Sequence, residues 1–262
     1  MTQKIHPTAY ISEQAELADD VSIGAFAVIE AHTKIGSGCV IGPHAVVHSY
    51  THLGVGNVLH AHAVLGGLPQ DINFAPDTVT WLHVGERNVF REGFTAHRAT
   101  KPEQSTRIGN QCYFMNNSHV AHDCDVGNKT IFANNVAIGG HVQIGDHVFM
   151  GGGSVVHQFC RVGSFAMVRG LAGLSMDAMP FMIIGGAPGR HYKLNTVGLR
   201  RNGITGERYA VLASAVRLLK SRQSLDALTE TEELALLKQW LAVKSKRGVH
   251  GFVDSSAKRE QE

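Results

Sequence analysis

A six-residue period in the placement of branched aliphatic side chains constrains the fold of this chain more than any other feature. Such a residue stands at every sixth position from Ile5 to Leu65, and the register returns, with some aromatic residues and a methionine, from Ile108 to Leu174. A hexapeptide period of this length is typical of a parallel β-helix, in which each repeat supplies one short strand and a turn. With three faces a coil takes about 18 residues, and residues one coil apart stack about 4.8 Å from each other.

The residue four places after each repeat aliphatic is mostly small, and we expect its side chain to point into the coil. All four cysteines, Cys39, Cys112, Cys124 and Cys160, occupy this position. Free cysteine fills such a slot with a small, dense side chain, so we interpret these residues as structural thiols. The 29 glycines and the charged fraction of 18% also suit a repetitive, turn-rich β architecture.

Two breaks interrupt the repeat before it ends. The first spans about residues 66–83, where Pro69, Pro76 and a polar run predict a loop that projects from the coil. A shorter break lies around residues 101–105, and the repeat stops at Met179-Pro180. The sequence therefore predicts a mainly β chain, with a parallel β-helix domain over residues 1–187 and a small helical domain over residues 188–262.

The C-terminal part combines helical spacing with an excess of positive charge. Between residues 188 and 222 it carries eight basic residues and one acidic residue, which suits an acidic partner. Apolar residues from Tyr209 to Leu219 recur at helical spacing. A second helix is predicted to begin at a capping box of sequence TETE, residues 229–232. We expect about the last dozen residues to be frayed.

Charge and hydropathy argue against several classes of protein. The formal net charge of +2 gives no support to a nucleic-acid partner. The first seven residues lack the apolar core of a signal peptide, and no run approaches the roughly 18 apolar residues of a membrane span. We therefore expect a cytoplasmic protein without stable membrane insertion.

Five of the 16 histidines stand out because coil geometry brings them together: His97, His119, His122, His141 and His157. Those in the later coils follow one another at nearly one-coil intervals, which predicts a cluster along one edge of the β-helix. Such a cluster is compatible with a metal site, a catalytic base or ordinary surface histidines. A zinc site lacks support, because the sequence shows no carboxylate or thiolate at ligand spacing and the cysteines point inward.

General-base catalysis is the interpretation that these residues favour. A neutral imidazole has a pKa suited to removing a proton from a sugar hydroxyl near pH 7. Asp123, directly after His122, is suited to stabilise the imidazolium and to fix its tautomer. The Gly139-Gly140 pair beside His141 exposes a backbone N–H that is suited to stabilise an oxyanion.

With these residues, the chain resembles the UDP-N-acetylglucosamine O-acyltransferase family of lipid A biosynthesis over essentially its whole length. The resemblance is most specific at residues 119–124, 132–135, 140–142 and 156–160. It implies a left-handed β-helix that assembles as a homotrimer with sites between subunits. It also implies transfer of a (3R)-hydroxyacyl chain from acyl carrier protein to the 3-hydroxyl of UDP-N-acetylglucosamine, the first step of lipid A biosynthesis, without a metal or other cofactor.

The resemblance also implies a role for each site residue. His122 would be the general base, Asp123 its orienting partner and Gly140, through its backbone N–H, the oxyanion donor. The other implied site residues bind substrate. Gln70 and Asp71 would bind the sugar, Gly170 would border the acyl chain, and Asn195 and Arg201 would bind the nucleotide. The sugar, the diphosphate or the carrier arm would be held by His97, His119, His141, His157 and Gln158.

The chain departs from the family pattern around the acceptor and the acyl chain. Asn73 replaces the family's loop lysine, and Ala99 replaces the glycine of a His-Arg-Gly-Thr motif. Val197 replaces a glutamate on the uridine side, and Asn202 replaces the second arginine of a pair. Arg169 replaces a glycine beside the acyl channel. Three alternatives therefore stay open. They are acylation of a different sugar nucleotide, a catalytically silent β-helix that binds nucleotide sugar or carrier protein, and a zinc-dependent hexapeptide carbonic anhydrase.

Overall fold

The computed structural model describes residues 4–253, most of which form the predicted parallel β-helix. Its three faces are sheets of eleven, nine and eight strands, and within each sheet the neighbours are mostly every third strand along the chain. The fold is mainly β and the coil is left-handed, so both expectations are confirmed.

Short strands and two-residue turns alternate through most of the β-helix. Before the loop, the strands are β1 (Lys4–Ile5), β2 (Tyr10–Ile11), β3 (Glu16–Leu17), β4 (Ser22–Ile23), β5 (Val28–Ile29), β6 (Lys34–Ile35), β7 (Val40–Ile41), β8 (Val46–Val47), β9 (Thr51–Leu53), β10 (Val58–Leu59) and β11 (Val64–Gly67). After the loop, they are β12 (Trp81–Val84), β13 (Val89–Phe90), β14 (Thr95–His97), β15 (Ser105–Ile108), β16 (Tyr113–Phe114), β17 (His119–Val120), β18 (Asp125–Val126), β19 (Ile131–Phe132), β20 (Ala137–Ile138), β21 (Gln143–Ile144), β22 (Phe149–Met150), β23 (Val155–Val156), β24 (Arg161–Val162), β25 (Met167–Val168), β26 (Gly173–Leu174), β27 (Met182–Gly185) and β28 (Arg190–Leu194).

The strand register has the predicted coil length except at the two insertions. Lys4 pairs with Ser22, and this 18-residue step recurs down to the pairing of β23 with β26. The first insertion lies between β11 and β12, so residues 68–80 lie outside strands and the ends of the predicted 66–83 loop belong to the sheets. The second insertion separates β14 from β15.

The interior of the coil is packed by the repeat positions. Aliphatic residues such as Ile29 and Leu65 are fully buried. The ring of Phe90 stacks on Phe114 and meets Phe94 at a tilt, and all three rings are fully buried. All four cysteines are free and buried, as expected. The Cys124 thiol donates a hydrogen bond to the carbonyl of Gly139 at 3.1 Å, which ties adjacent coils together.

Three helices follow the β-helix in the described chain: α1 (Thr196–Arg201), α2 (Gly206–Lys220) and α3 (Glu232–Ala242). α2 confirms the helix predicted from the apolar spacing, and it buries Leu212 against the core. The predicted capping box starts two residues too early, since the N-cap of α3 is Thr231, whose side chain accepts a hydrogen bond from the Leu234 N–H. None of the helices in residues 4–253 is long and apolar enough to cross a bilayer.

The predicted division of the chain at residue 187 remains a prediction. β28, which follows that position, still pairs with β27 in antiparallel orientation, and the helices begin only after β28. Most of the C-terminal segment that we expected to be frayed lies outside the described residues.

Candidate active site

Most of the predicted site residues lie at one corner of the β-helix, where the chain leaves the nine-stranded sheet and enters the eight-stranded sheet. We call this the histidine corner, defined by His97, His119, His122, His141 and His157. His97 and His119 lie in β14 and β17 of the nine-stranded sheet, and His122, His141 and His157 lie in the turns that follow β17, β20 and β23. Because parallel coils stack in register, residues far apart in sequence meet along this edge.

The shortest polar contact at the corner joins His122 to Asp123. The Nδ1 atom of His122 lies 2.7 Å from Oδ2 of Asp123, and only 13% and 11% of the two side chains is exposed. If Nδ1 donates the hydrogen bond, Nε2 of His122 keeps a free lone pair. A mostly buried imidazole with that tautomer is a suitable proton acceptor.

Asp123 is itself held in place from two directions. The Thr100 hydroxyl donates to Oδ2 at 2.7 Å and the Thr100 N–H approaches Oδ1 at 3.2 Å. The Asp123 N–H donates to the Thr106 hydroxyl at 2.7 Å. Burial raises the pKa of Asp123, but the hydrogen bonds from His122 and Thr100 outweigh it and hold the pKa below its ordinary value. The carboxylate therefore remains charged beside His122.

Gly140 lies against the face of the His122 imidazole. A Cβ atom at this position would be 2.4 Å from Cε1 and 2.7 Å from Nε2 of His122, so any side chain would displace the ring. Among the described residues, the Gly140 N–H donates to no hydrogen-bond acceptor. This free donor is close to the nitrogen that would take the proton, as an oxyanion site requires.

His141 continues the Asp123 column one coil further on. Its Nε2 atom is 3.6 Å from Oδ2 of Asp123, its ring meets His122 edge to face at 5.4 Å between centroids, and Phe159 stacks on it at 4.7 Å. Burial lowers the pKa of His141, and Asp123 opposes that effect. His141 is thus a neutral ring near pH 7, with a polar edge toward the pair.

His97 and His119 form the N-terminal side of the corner. Their rings meet edge to face at 4.8 Å, and Nδ1 of His119 is 2.7 Å from the Thr95 hydroxyl. Burial, reinforced by the neighbouring histidines, lowers the pKa of His97 to about 4. Burial also lowers the pKa of His119. Both rings are therefore neutral hydrogen-bonding groups that add no charge to the site.

His157 and Gln158 lie on the C-terminal side of the corner and are exposed. The guanidinium of Arg247 contacts the His157 ring, with Nη2 3.0 Å from Nε2 of His157. Gln70 and Asp71 lie on the loop that leaves the same corner, and both are exposed. In the described chain the Asp71 carboxylate accepts a hydrogen bond from the Asn73 N–H and none from a histidine.

Three predicted residues lie away from the histidine corner. Gly170 is exposed at the turn between β25 and β26. Asn195 and Arg201 line a cavity of about 500 Å³ between α1 and the eleven-stranded sheet, together with Val197 and Asn202. One copy of the chain therefore does not bring the predicted nucleotide contacts to the histidines.

The side chain of Asn195 already has two structural partners. Its Oδ1 atom accepts the Gly198 N–H as the N-cap of α1, and its Nδ2 atom donates to the Phe165 carbonyl at 3.0 Å. Arg169 lies along Gly185 and places its guanidinium 5.1 Å from the centre of the Tyr192 ring. Its side chain therefore runs toward β27 and β28.

One group in residues 4–253 has ligand atoms close enough together for a metal ion, namely His122, Asp123 and His141, within 4.8 Å of one another. This corrects the expectation that no carboxylate shares the cluster at ligand distance. Tetrahedral zinc with these ligand types would separate ligand atoms by about 3.4 Å. The 2.7 Å contact of His122 with Asp123 is shorter and fits a hydrogen bond better.

Several residues that organise the corner were missed from the sequence. Thr95 and Thr100 contact the side chains of His119 and Asp123, and Thr106 accepts the Asp123 N–H. Phe159 and Arg247 pack on His141 and His157. Thr100 precedes Asp123 by more than one coil length because the second insertion intervenes. A coil alignment that allowed for this insertion would have paired the two.

Comparison with known proteins points to one family. Residues 177–259 match a family model described as UDP N-acetylglucosamine O-acyltransferase, domain 2, and residues 105–140 match the bacterial transferase hexapeptide model. An acyl-[acyl-carrier-protein]–UDP-N-acetylglucosamine O-acyltransferase from Syntrophobacter fumaroxidans is 39% identical over 257 residues, covering 94% of this chain and 99% of that protein. A protein of the same name from Stenotrophomonas maltophilia is 44% identical over 82% of each chain.

Solved structures agree with the sequence relatives. The UDP-N-acetylglucosamine O-acyltransferase of Moraxella catarrhalis superimposes with a TM-score of 0.85 at 35% identity, over 94% of this chain and 98% of that one. A UDP-N-acetylglucosamine acyltransferase from Bacteroides fragilis gives a TM-score of 0.88 at 29% identity, over 93% and 98% of the two chains.

Proposed function

The chain belongs to the UDP-N-acetylglucosamine O-acyltransferase family, and from that membership we propose its reaction. It transfers a (3R)-hydroxyacyl chain from acyl carrier protein to the 3-hydroxyl of UDP-N-acetylglucosamine, the first step of lipid A biosynthesis. The observation that carries this proposal is the 2.7 Å contact between His122 and Asp123, with Gly140 directly beside the imidazole.

In the proposed mechanism, Nε2 of His122 takes the proton of the sugar 3-hydroxyl while the oxygen attacks the thioester carbonyl carbon. The Asp123 carboxylate stabilises the imidazolium and keeps the ring in the required tautomer. The Gly140 N–H donates a hydrogen bond to the oxyanion of the tetrahedral intermediate. The intermediate then collapses to the ester, the C–S bond breaks, and the thiolate recovers the proton from His122.

The proposal includes the remaining predicted substrate contacts. Neutral His97, His119 and His141 offer hydrogen bonds to sugar hydroxyls or to the carrier arm without adding a positive charge that would compete for Asp123 or repel the His122 imidazolium. The exposed loop pair Gln70 and Asp71 leaves from the same corner and suits the sugar. Gly170 would border the acyl chain, and the basic helices suit the acidic carrier protein.

We infer that the complete site is formed between two copies of a homotrimer. The histidine corner lies between the nine- and eight-stranded sheets, whereas the cavity that contains Asn195 and Arg201 faces the eleven-stranded sheet. The two groups therefore lie on different faces of one β-helix, and the nucleotide end would bind the neighbouring copy. The cytoplasmic location predicted from the sequence stays a prediction, as does the lack of a cofactor.

The acceptor is tested by offering one hydroxyacyl-carrier protein with a panel of sugar nucleotides. Turnover of UDP-N-acetylglucosamine would support the proposal despite Asn73, Val197 and Asn202. Turnover of a different sugar nucleotide alone would show that these substitutions respecify the acceptor. A folded protein that turns over none of them would favour a silent binding protein and contradict the proposal.

A zinc-dependent carbonic anhydrase activity is the second candidate function, because His122, Asp123 and His141 place ligand atoms close enough together for a metal ion. Elemental analysis of the purified full-length protein, combined with a CO₂ hydration assay, separates it from acyl transfer. Stoichiometric zinc with hydration activity would favour the second candidate. Full acyl transfer activity after exhaustive chelation would eliminate it.

A further inference from the structure

We propose that a basic segment near the C-terminus binds a phosphate group of the substrate beside the histidine corner. We call residues 244–247 the basic strap; its cations are Lys244, Lys246 and Arg247. The inference rests on the proposed acyl transfer for the identity of the substrate, while the binding itself is measurable without turnover.

The two residues of one buried ion pair, Arg161 and Asp177, form hydrogen bonds with the backbone on both sides of the strap. Arg161 donates from Nε to the fully buried Asp177 at 2.7 Å. The same guanidinium donates to the carbonyls of Trp240 and Val243 at the end of α3. On the other side of the strap, the Asp177 N–H donates to the Gly248 carbonyl at 2.8 Å. Residues 244–247 therefore cross the corner between two fixed points.

The strap contacts the corner through two of its cations. Arg247 lies on the His157 ring, and its Nε atom is buried without a hydrogen-bond partner. The ammonium of Lys246 is 5.2 Å from the centre of the Phe159 ring, which stacks on His141. Burial lowers the pKa of His141 and Lys246 adds to this lowering, so the strap acts electrostatically on a histidine of the corner.

A cavity of about 160 Å³ separates the strap from the coil, and its lining is basic: His141, Gln143, Phe159, Arg161, Val243, Lys244 and Lys246. No carboxylate is among these residues. Within residues 4–253, none of the three strap cations forms an ion pair with a carboxylate. Two carboxylates contact lining residues from outside the lining: Asp177 pairs with Arg161 at 2.7 Å, and Asp123 is 3.6 Å from His141.

This arrangement fits a phosphate group better than an isolated carboxylate or a neutral ligand. Lysine ammonium groups bind phosphate as point charges, and charge-assisted hydrogen bonds are the stronger class. Both substrates of the proposed reaction carry phosphate: the acceptor has a diphosphate, and the carrier arm has a phosphodiester. The strap thus holds one of these phosphate groups next to the stacked rings of Phe159 and His141, and His141 in turn contacts Asp123.

Calorimetric titration of the full-length protein with inorganic pyrophosphate tests the binding directly. Lys246 is exposed, so Lys246→Ala is expected to fold and to weaken binding about tenfold, or about 1.4 kcal/mol. Lys246→Arg should restore most of the affinity. Lys34→Ala, which removes one charge from an ion pair with Glu16 at the other end of the rod, should bind as the wild type does. Equal affinity of Lys246→Ala and wild type would overturn the proposal.

Kinetics identify which phosphate is bound. If it is that of the carrier arm, removing the phosphate from a hydroxyacyl-phosphopantetheine donor should raise KM about tenfold in the wild type and not in Lys246→Ala. If it is the diphosphate, Lys246→Ala should raise KM for the sugar nucleotide about tenfold, with kcat less affected. No change in either KM would count against the strap. Pyrophosphate binding that depends on Lys246, in a protein without acyl transfer, would support the strap and contradict the proposed function.

Discussion

At the scale of single residues, the histidine corner is organised around the carboxylate of Asp123. Hydrogen bonds from His122 and Thr100 keep it ionised although it is mostly buried. A charged acceptor next to Nδ1 restricts the His122 ring to one orientation and one tautomer. The distances within this group, and not the number of histidines, therefore determine whether acyl transfer is possible.

Gly140→Ala tests whether catalysis needs the backbone of residue 140 to lie close to the His122 ring. The added Cβ would lie 2.4 Å from Cε1 of His122, so the ring must move by a substantial fraction of an ångström or more. We expect acyl transfer to fall on the order of 10²-fold with the fold retained. Initial rates and circular dichroism measure the two effects. Gly251→Ala is the matched control, because a Cβ there meets no atom within 4 Å.

The residues of the corner were only partly predictable from sequence. The adjacency of His122, Asp123 and Gly140 follows from the coil period, because parallel coils repeat the same position. Thr100 could not be placed on Asp123 without knowing where the six-residue register is interrupted. The contact of Arg247 with His157 joins residues 90 positions apart, and Arg247 belongs to no repeat.

At the scale of elements, the C-terminal helices are joined to the coil through the pair of Arg161 and Asp177. Arg161 satisfies carbonyl groups at the end of α3, where a helix leaves acceptors without partners. Asp177 is fully buried and accepts both the N–H and the Nε of Arg161. One ion pair thus connects the last coils, α3 and the basic strap.

Asp177→Ala should destabilise the protein because it leaves a mostly buried guanidinium without its carboxylate. We expect a loss of about 3–5 kcal/mol in the free energy of unfolding, measured by urea denaturation. Asp125→Ala, which removes an exposed carboxylate from the sheet that contains Arg161, should change the free energy of unfolding by about 0.5 kcal/mol or less. Equal effects of the two substitutions would show that the buried pair does not hold the helices.

At the scale of the whole molecule, the β-helix separates the predicted catalytic and nucleotide-binding residues onto different faces. The coil architecture was predictable because every repeat contributes the same strand and turn. The distribution of Asn195 and Arg201 was not, since these residues follow the last repeat and their position depends on β28 and α1. Assembly of several copies would reunite the two groups.

Subunit mixing tests whether the site is shared. His122→Ala and Arg201→Ala should each have low activity alone, whereas unfolding and refolding them together should restore a measurable fraction of wild-type activity. The same treatment of His122→Ala with Gly140→Ala, which affect one corner, should restore none. Sedimentation should give about three times the chain mass of 28.3 kDa. A monomer with full activity would contradict the shared site.

Buried histidines should make the stability of the protein depend on pH. Burial lowers the pKa of His191 from 6.5 to about 4, and in the fold its Nε2 accepts the Met179 N–H at 2.8 Å. Between these two values the unfolded chain binds a proton that the folded chain does not, so the free energy of unfolding falls as the pH falls. The contribution of His191 is about 3 kcal/mol.

The effect is measured by denaturation at pH 7 and pH 4.5. In His191→Gln the difference in unfolding free energy between the two pH values should shrink relative to wild type, whatever the absolute stability of the variant. His97→Gln, at the other buried histidine with a pKa of about 4, provides the same comparison if His191→Gln does not fold. An unchanged difference in both variants would rule out this origin of the pH dependence.

The central claim is that His122 removes the proton from the acceptor hydroxyl, and the rate of acyl transfer by His122→Ala tests it most directly. We expect kcat/KM to fall on the order of 10²-fold or more, with unchanged thermal stability. His44→Ala is the control, because this exposed histidine stacks between Phe26 and His62 at a different corner of the rod, and its loss should leave the rate unchanged. A His122→Ala protein with activity near that of the wild type would contradict the account.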